Sequence, residues 1–74
     1  MSFHLLDMSN LEADFLAVMT ELGATTEKLI SLERVGPPLV ARGYDLEAIY
    51  QCLMGLIREK KLVHDGQRNA VRFV

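Results

Sequence analysis

The sequence predicts a mainly α-helical domain that ends in a small β-hairpin, and the spacing of its apolar residues carries the prediction. Apolar residues recur at helical spacing between residues 11 and 22 and again between residues 46 and 60. The last segment changes to short apolar runs, 62–64 and 70–74, on either side of a turn that contains Gly66. This order indicates three to four helices followed by two C-terminal strands.

Length and composition limit the classes of protein to which the chain can belong. At 74 residues, 50% of them apolar and 24% charged, it is expected to form a single globular domain. No run of about 18 apolar residues predicts a membrane span, and the N-terminus lacks the basic start of a secretion signal. The single cysteine, Cys52, excludes an intramolecular disulfide, so the expected location is cytoplasmic, with no membrane partner.

The first helix is expected to begin at Ser9, after an N-terminal arm of residues 1–8. Ser9 and Glu12 have the spacing of a capping box, in which each side chain satisfies a free amide of the first turn. One face of this helix is apolar, and Gly23 is expected to end it. The residues of that face are Leu11, Phe15, Val18 and Leu22.

The middle of the chain predicts two shorter helices. Thr25 or Thr26 can cap a helix that runs to about Arg34. The segment Gly36-Pro37-Pro38 is expected to stop it, since proline is tolerated mainly in a first helical turn. The same prolines can open a short helix from Leu39 to Arg42, which Gly43 would close.

Asp45 is a suitable N-cap for the fourth helix, which is expected to run from Leu46 to about Lys60. Its predicted buried stripe consists of Leu46, Ile49, Tyr50, Leu53, Leu56 and Ile57. Val63, Val71 and Phe73 suit strands, and the polar segment 66–69 suits the loop of a hairpin.

The segment from Leu39 to Val63 resembles the helix-turn-helix of winged-helix regulators. In that family a short helix and a tight turn lead into a recognition helix, and a two-stranded wing follows. The sequence Ile57-Arg-Glu-Lys-Lys-Leu-Val63 is similar to the family's helix ending, with Lys61 where glycine is usual. The resemblance implies that residues 9–74 form a winged helix-turn-helix domain.

The resemblance also implies a way of binding duplex DNA. The helix 46–60 would enter the major groove, and the loop 64–70 would contact the DNA backbone or the minor groove. Gln51 has the chemistry to pair with an adenine edge, and Arg58 with guanine or phosphate. Lys60, Lys61, Arg68 and Arg72 would neutralise phosphates. The function implied is a small DNA-binding transcription regulator, expected to act as a homodimer.

A second hypothesis is that the domain binds a protein partner and not DNA. Residues 1–33 carry six acids and one base, and residues 34–74 carry seven bases and four acids. The first half is therefore strongly acidic, and Glu47 and Glu59 lie on the proposed recognition face, where they would repel phosphates. An adaptor or complex subunit fits these charges as well.

The sequence contains no pattern that predicts catalysis or a cofactor. The soft-ligand candidates His4, His64 and Cys52 have no spacing that builds a metal site. No glycine-rich phosphate loop, nucleophile arrangement or small-molecule site is evident. The expected state of Cys52 is a buried, inert thiol. We therefore expect no enzyme activity, no catalytic residue, no metal and no cofactor.

Overall fold

The computed structural model describes the backbone of residues 4–74 and the side chains of residues 10–74. That part of the chain forms three helices and a three-stranded antiparallel sheet. In chain order the elements are α1 (His4–Glu21), β1 (Ile30–Ser31), α2 (Leu32–Ala41), α3 (Leu46–Arg58), β2 (Leu62–Asp65) and β3 (Ala70–Phe73). The expected C-terminal hairpin is confirmed as β2 and β3, and the sheet has one strand more than was predicted.

Helix α1 begins at His4, so the helix start predicted at Ser9 is wrong. The segment between His4 and Ser9 contains neither proline nor glycine, so nothing in it stops a helix. Ser9 and Glu12 lie inside α1, where the backbone amides already have helical partners and no capping box can form. Of the expected arm, residues 1–3 lie outside the described residues.

The second helix predicted from Thr25 to Arg34 does not form as one element. The Thr25 hydroxyl accepts the backbone N–H of Glu27 at 3.1 Å and of Lys28 at 2.9 Å, which closes a turn. The chain then extends into β1. Ser31 at the end of this strand caps α2, because its hydroxyl oxygen accepts the N–H of Glu33 at 3.1 Å.

Helix α2 runs through Gly36-Pro37-Pro38, where the sequence predicted a helix end and a separate helix from Leu39 to Arg42. The two prolines remove the amide hydrogens that would bond to the carbonyl oxygens of residues 33 and 34. Both of those residues are exposed, so water can bond to these carbonyls. Burial of Val35 and Leu39 against the core compensates for the lost hydrogen bonds.

Gly43 makes the tight turn between α2 and α3, with a φ of 103°. The N–H groups of Gly43 and Tyr44 donate to carbonyls of the last turn of α2, at 2.9 and 3.3 Å. The Tyr44 hydroxyl also donates to Asp14 Oδ2 at 2.6 Å, and Arg42 Nη1 lies 3.2 Å from Asp14 Oδ1. Asp14 on α1 therefore holds the turn in place.

The last strand, β3, lies in the middle of the sheet, in the order β1-β3-β2. The hairpin loop is residues 66–69, as predicted, and the Asp65 carboxylate accepts two backbone N–H groups of this loop. On the other side of β3, Ile30 is opposite Val71 and Ser31 is opposite Ala70. Strand β1 has two residues, which is too short for a periodic signal in the sequence.

The core lies between the helices and one face of the sheet. Each element contributes side chains that are almost completely buried, and these side chains form one contiguous core. Its largest fully buried members are Leu11, Phe15, Val18, Met19, Ile30, Val35, Leu39, Leu56 and Val71.

The predicted buried stripe of α3 is partly wrong. Leu46 is 70% exposed and Tyr50 55% exposed, whereas Cys52 is buried with Ile49 and Leu53. The six predicted positions cover about 120° of the helix surface. Such a wide stripe does not indicate which of its flanks faces the core, and α3 is rotated so that the Cys52 flank does.

We predict opposite effects on stability for two glycine-to-alanine substitutions, one in the turn before α3 and one inside α3. Gly43→Ala should lower the free energy of unfolding by about 1 kcal/mol, because a side chain is strained at positive φ. Gly55→Ala should raise it by about 0.5–1 kcal/mol, because Gly55 lies inside α3 and a Cβ there meets nothing within 4 Å. Urea unfolding of the two variants measures both. If both substitutions changed the free energy of unfolding in the same direction, the result would contradict the conformation described for the turn at Gly43.

Candidate functional site

The two residues predicted to read DNA bases from α3 are both exposed. Gln51 Nε2 donates to Glu47 Oε2 at 2.9 Å, one helical turn earlier. Its amide is therefore already bonded to an acid of the same face. Arg58 at the end of α3 forms no ion pair with a described residue.

The two lysines that follow α3 differ in their surroundings. Lys60 is exposed and has a φ of 63°, a left-handed conformation that glycine adopts more easily. The left-handed residue of this helix ending is thus Lys60 and not Lys61. Lys61 Nζ lies 3.4 Å from Glu59 Oε1 and 3.9 Å from Glu12 Oε1, so two carboxylates already surround it.

The two arginines predicted for the wing have different roles. The Arg68 side chain at the hairpin tip is 74% exposed, and its Nε lies 3.7 Å from Asp65 Oδ2. Arg72 Nη1 donates to the carbonyl oxygen of Thr26 at 2.7 Å and to that of Phe73 at 3.0 Å. Arg72 therefore joins β3 to the loop before β1, and its guanidinium is already hydrogen-bonded to backbone carbonyls.

The structure brings part of the predicted DNA-binding set to one end of the domain, but mixed with acids. Arg58, Lys60 and Lys61 follow one another at the end of α3, with Glu59 between them. Arg72 is held by backbone carbonyls, and Gln51 by Glu47. The arrangement leaves few cations that are free to neutralise phosphates.

A different surface, between α2 and α3, combines exposed apolar side chains with a concave shape. Val40 is 46% exposed, and Leu46 and Tyr50 are more exposed still. An open groove of about 570 Å³ lies here. Its lining residues are Leu32, Glu33, Gly36, Pro37, Val40, Ala41 and Leu46. We call it the α2–α3 groove.

Gly36 gives the α2–α3 groove its depth. A Cβ built at this position meets no atom within 4 Å, so a notch opens between Leu32 and Val40, which lie one turn before and one turn after. A smaller cavity of about 170 Å³ continues inward from the notch, toward Phe15 and Val35. Leu46 and Tyr50 border this smaller cavity on the α3 side.

Sequence reasoning missed the groove because it assigned Leu46 and Tyr50 to the core. One signal pointed to it: Leu46 directly follows the Asp45 cap, so it occupies the first turn of α3, at the margin of any core. The run Gly36-Pro37-Pro38 also suggested a break in α2, where the structure has a continuous groove wall.

Cys52 is buried in the core, as expected of a structural thiol. Burial, together with the nearby carboxylates of Glu12 and Glu59, raises the pKa of Cys52 to about 11. A thiol with this pKa is protonated at neutral pH, and protonated thiols are poor nucleophiles and poor metal ligands.

Among the described residues, no group of three or more His, Cys, Asp or Glu side chains is arranged to hold a metal ion. The helices of that same part of the chain are too short or too polar to cross a bilayer. No protein-family model matches the chain, and no significant match was found among curated proteins or solved structures.

We predict that Arg72 and Arg68 contribute unequally to stability. Arg72→Ala should lower the free energy of unfolding by about 1 kcal/mol, because two backbone carbonyls lose their donor. Arg68→Ala should change it by less than about 0.5 kcal/mol, because its ion pair is exposed and long. Chemical unfolding compares the two. An Arg72→Ala variant with an unchanged free energy of unfolding would show that the Arg72 guanidinium does not stabilise the fold and is available to bind another molecule.

Proposed function

We propose that this chain is a winged-helix domain that works as a protein-interaction module. The order of the elements supports the fold assignment. As the resemblance implies, α2 is followed by a tight turn at Gly43, then by α3 and then by the hairpin β2–β3. A cytoplasmic location remains part of the proposal and rests on the unpaired, buried Cys52.

One observation carries the functional proposal, namely the α2–α3 groove with its exposed apolar rim. Large apolar side chains exposed together around a concavity are typical of a surface that binds another molecule. In a helix-turn-helix that docks on DNA, the first residues of the recognition helix contact base edges in the major groove, and the helix before it crosses the phosphate backbone. Here those positions carry Leu46, Tyr50 and Glu47, which suit a protein partner better than a polyanion.

We predict that peptides selected from an unbiased library by the wild-type domain will bind in this groove. Leu46→Asp should weaken the selected peptides at least about tenfold, because it places a charge where an apolar anchor is buried. The fold should tolerate it, since an acid is favourable at the first position of a helix.

Val74→Asp is the matched control for that experiment. Val74 is also a large exposed apolar residue, at 62% exposure, and it does not line the groove. Peptide affinity, measured by fluorescence anisotropy, should be unchanged in this variant. Selected peptides that bind Leu46→Asp as tightly as the wild type would exclude the groove as the binding surface.

DNA binding is the second candidate function, and the exposed cations at the end of α3 favour it. Arg58 and Lys60 form no ion pair with a described residue, and Arg68 extends from the hairpin tip. Each phosphate that such a cation neutralises makes the affinity more dependent on salt. Few cations are available, so the expected affinity is low.

We predict that, if duplex DNA binds, Arg58→Ala combined with Lys60→Ala will reduce the slope of log affinity against log salt by about two. Anisotropy with a random duplex between about 50 and 200 mM salt measures this slope. Lys28→Ala, which removes an exposed cation of the loop before β1, serves as the control. Absence of binding at the lowest salt would reject the DNA hypothesis and leave the interaction module in place.

A further inference from the structure

We propose that the α2–α3 groove receives one face of an amphipathic helix whose apolar anchors are flanked by lysine or arginine. This inference rests on the proposed function, because it names the partner chemistry of the same groove. It follows from three features of the described residues: the length of the apolar row, the notch at Gly36 and the charge along the rim.

The apolar row on α2 has the length of a helical recognition face. Leu32, Gly36 and Val40 succeed one another at four-residue spacing, so the row spans about 12 Å. Helices that bind in grooves present anchors at positions i, i+3 or i+4, and i+7, which span about 10 Å. On the other side, Leu46 and Tyr50 on α3 form a second apolar row, which is one turn long.

The notch at Gly36 supplies a place for a central anchor. Leu32 and Val40 stand on either side of it, and the smaller cavity continues beneath it. A branched aliphatic side chain entering there would be removed from water on most sides, which is the setting in which a single residue dominates affinity.

The rim of the groove is negative. Glu33 lines the groove, and Glu47 immediately follows Leu46. Neither carboxylate forms an ion pair with any residue of the 10–74 range. Glu47 accepts a hydrogen bond from the neutral Gln51 amide, which leaves its charge uncompensated.

The cations nearest in sequence do not neutralise this rim. Arg42 forms ion pairs with Asp14 and Glu21 on α1. Arg34 and Glu47 both lie next to lining residues without lining the groove themselves, and Arg34 forms no ion pair with Glu33 or Glu47. A partner that places cations beside Glu33 and Glu47 would therefore complement the rim.

The same charges argue against a second copy of this chain as the occupant. A two-fold symmetric contact through the groove would bring Glu33 and Glu47 of both copies into one interface. Like charges placed together in an interface lower its stability, so a groove-to-groove dimer is disfavoured.

The test uses two synthetic helical peptides of about 18 residues with the same apolar anchors, one flanked by lysine and the other by glutamate. Binding to the full 74-residue chain is measured by anisotropy at low and moderate salt. The lysine peptide should bind about fivefold more tightly at low salt, and the difference should shrink as salt is added.

Two variants separate the apolar contribution from the charge contribution. Gly36→Leu fills the notch without adding charge. It should weaken both peptides about tenfold. Because Gly36 precedes Pro37, where a Cβ crowds the proline ring in a helix, circular dichroism and urea unfolding of this variant must show that the fold is kept. Val40→Asp, on the same wall of the groove, is the second variant should Gly36→Leu unfold.

Glu33→Gln combined with Glu47→Gln should abolish the preference for lysine. Glu21→Gln combined with Glu27→Gln, which removes two exposed acids outside the groove, should preserve it.

The outcomes test two statements separately, namely that the groove is an interaction site and that its partner is a basic amphipathic helix. If neither peptide binds, or if Gly36→Leu has no effect on either, the groove is not an interaction site and the proposed function fails. If both peptides bind in the groove with equal affinity, or the glutamate peptide binds more tightly, the basic partner is wrong while the interaction module stands. Sedimentation showing self-association that Gly36→Leu abolishes would identify a second copy as the occupant and overturn the inference.

Discussion

The pairing of β1 with β3 is the contact on which the rest of this small domain depends. Ile30 and Ser31 lie opposite Val71 and Ala70, and the N–H of Leu32 donates to the carbonyl of Asn69 at 2.9 Å. The pairing joins the middle of the chain to its end and buries Ile30 in the core. It also fixes Ser31, which is at once the last residue of a strand and the cap of α2. The direction of α2, and with it one wall of the α2–α3 groove, follows from this short strand.

The sequence was sufficient to predict those elements that its own local chemistry specifies. Asp45 caps α3 as expected, with its carboxylate accepting the N–H of Ala48 at 2.7 Å, and the 66–69 loop joins two strands. The start of α1 and the bounds of α2 were predicted wrongly, because in each case one local signal was given too much weight. At Ser9 the capping-box pattern lies in a segment without a helix breaker. At the proline pair the helix continues because α2 buries Val35 and Leu39 in the core. Strand β1 exists only through a partner distant in sequence.

The surfaces of the domain show the same difference between features that depend on neighbouring residues and features that depend on residues distant in sequence. The six residues predicted to contact DNA were chosen by charge and spacing. Spacing could not reveal the hydrogen bond that Arg72 donates to the carbonyl of Thr26, because the two residues are 46 positions apart in the sequence. The groove was missed for a related reason. Whether Leu46 faces the core or water depends on the rotation of α3, which packing against α1, α2 and β2 sets. Helical periodicity fixes the width of an apolar stripe and leaves its orientation open.

The proline pair in α2 has a consequence for how the domain folds. A ten-residue helix that lacks two of its internal hydrogen bonds is unstable in isolation, even with a good cap. Of the three helices, α2 is thus the least able to appear early, while α1 and α3 have uninterrupted backbone ladders. We therefore expect α2 to form only with strand pairing at Ser31 and with burial of Val35 and Leu39. Contacts that form after the rate-limiting barrier mainly govern the unfolding rate, and we expect those of α2 to be of this kind.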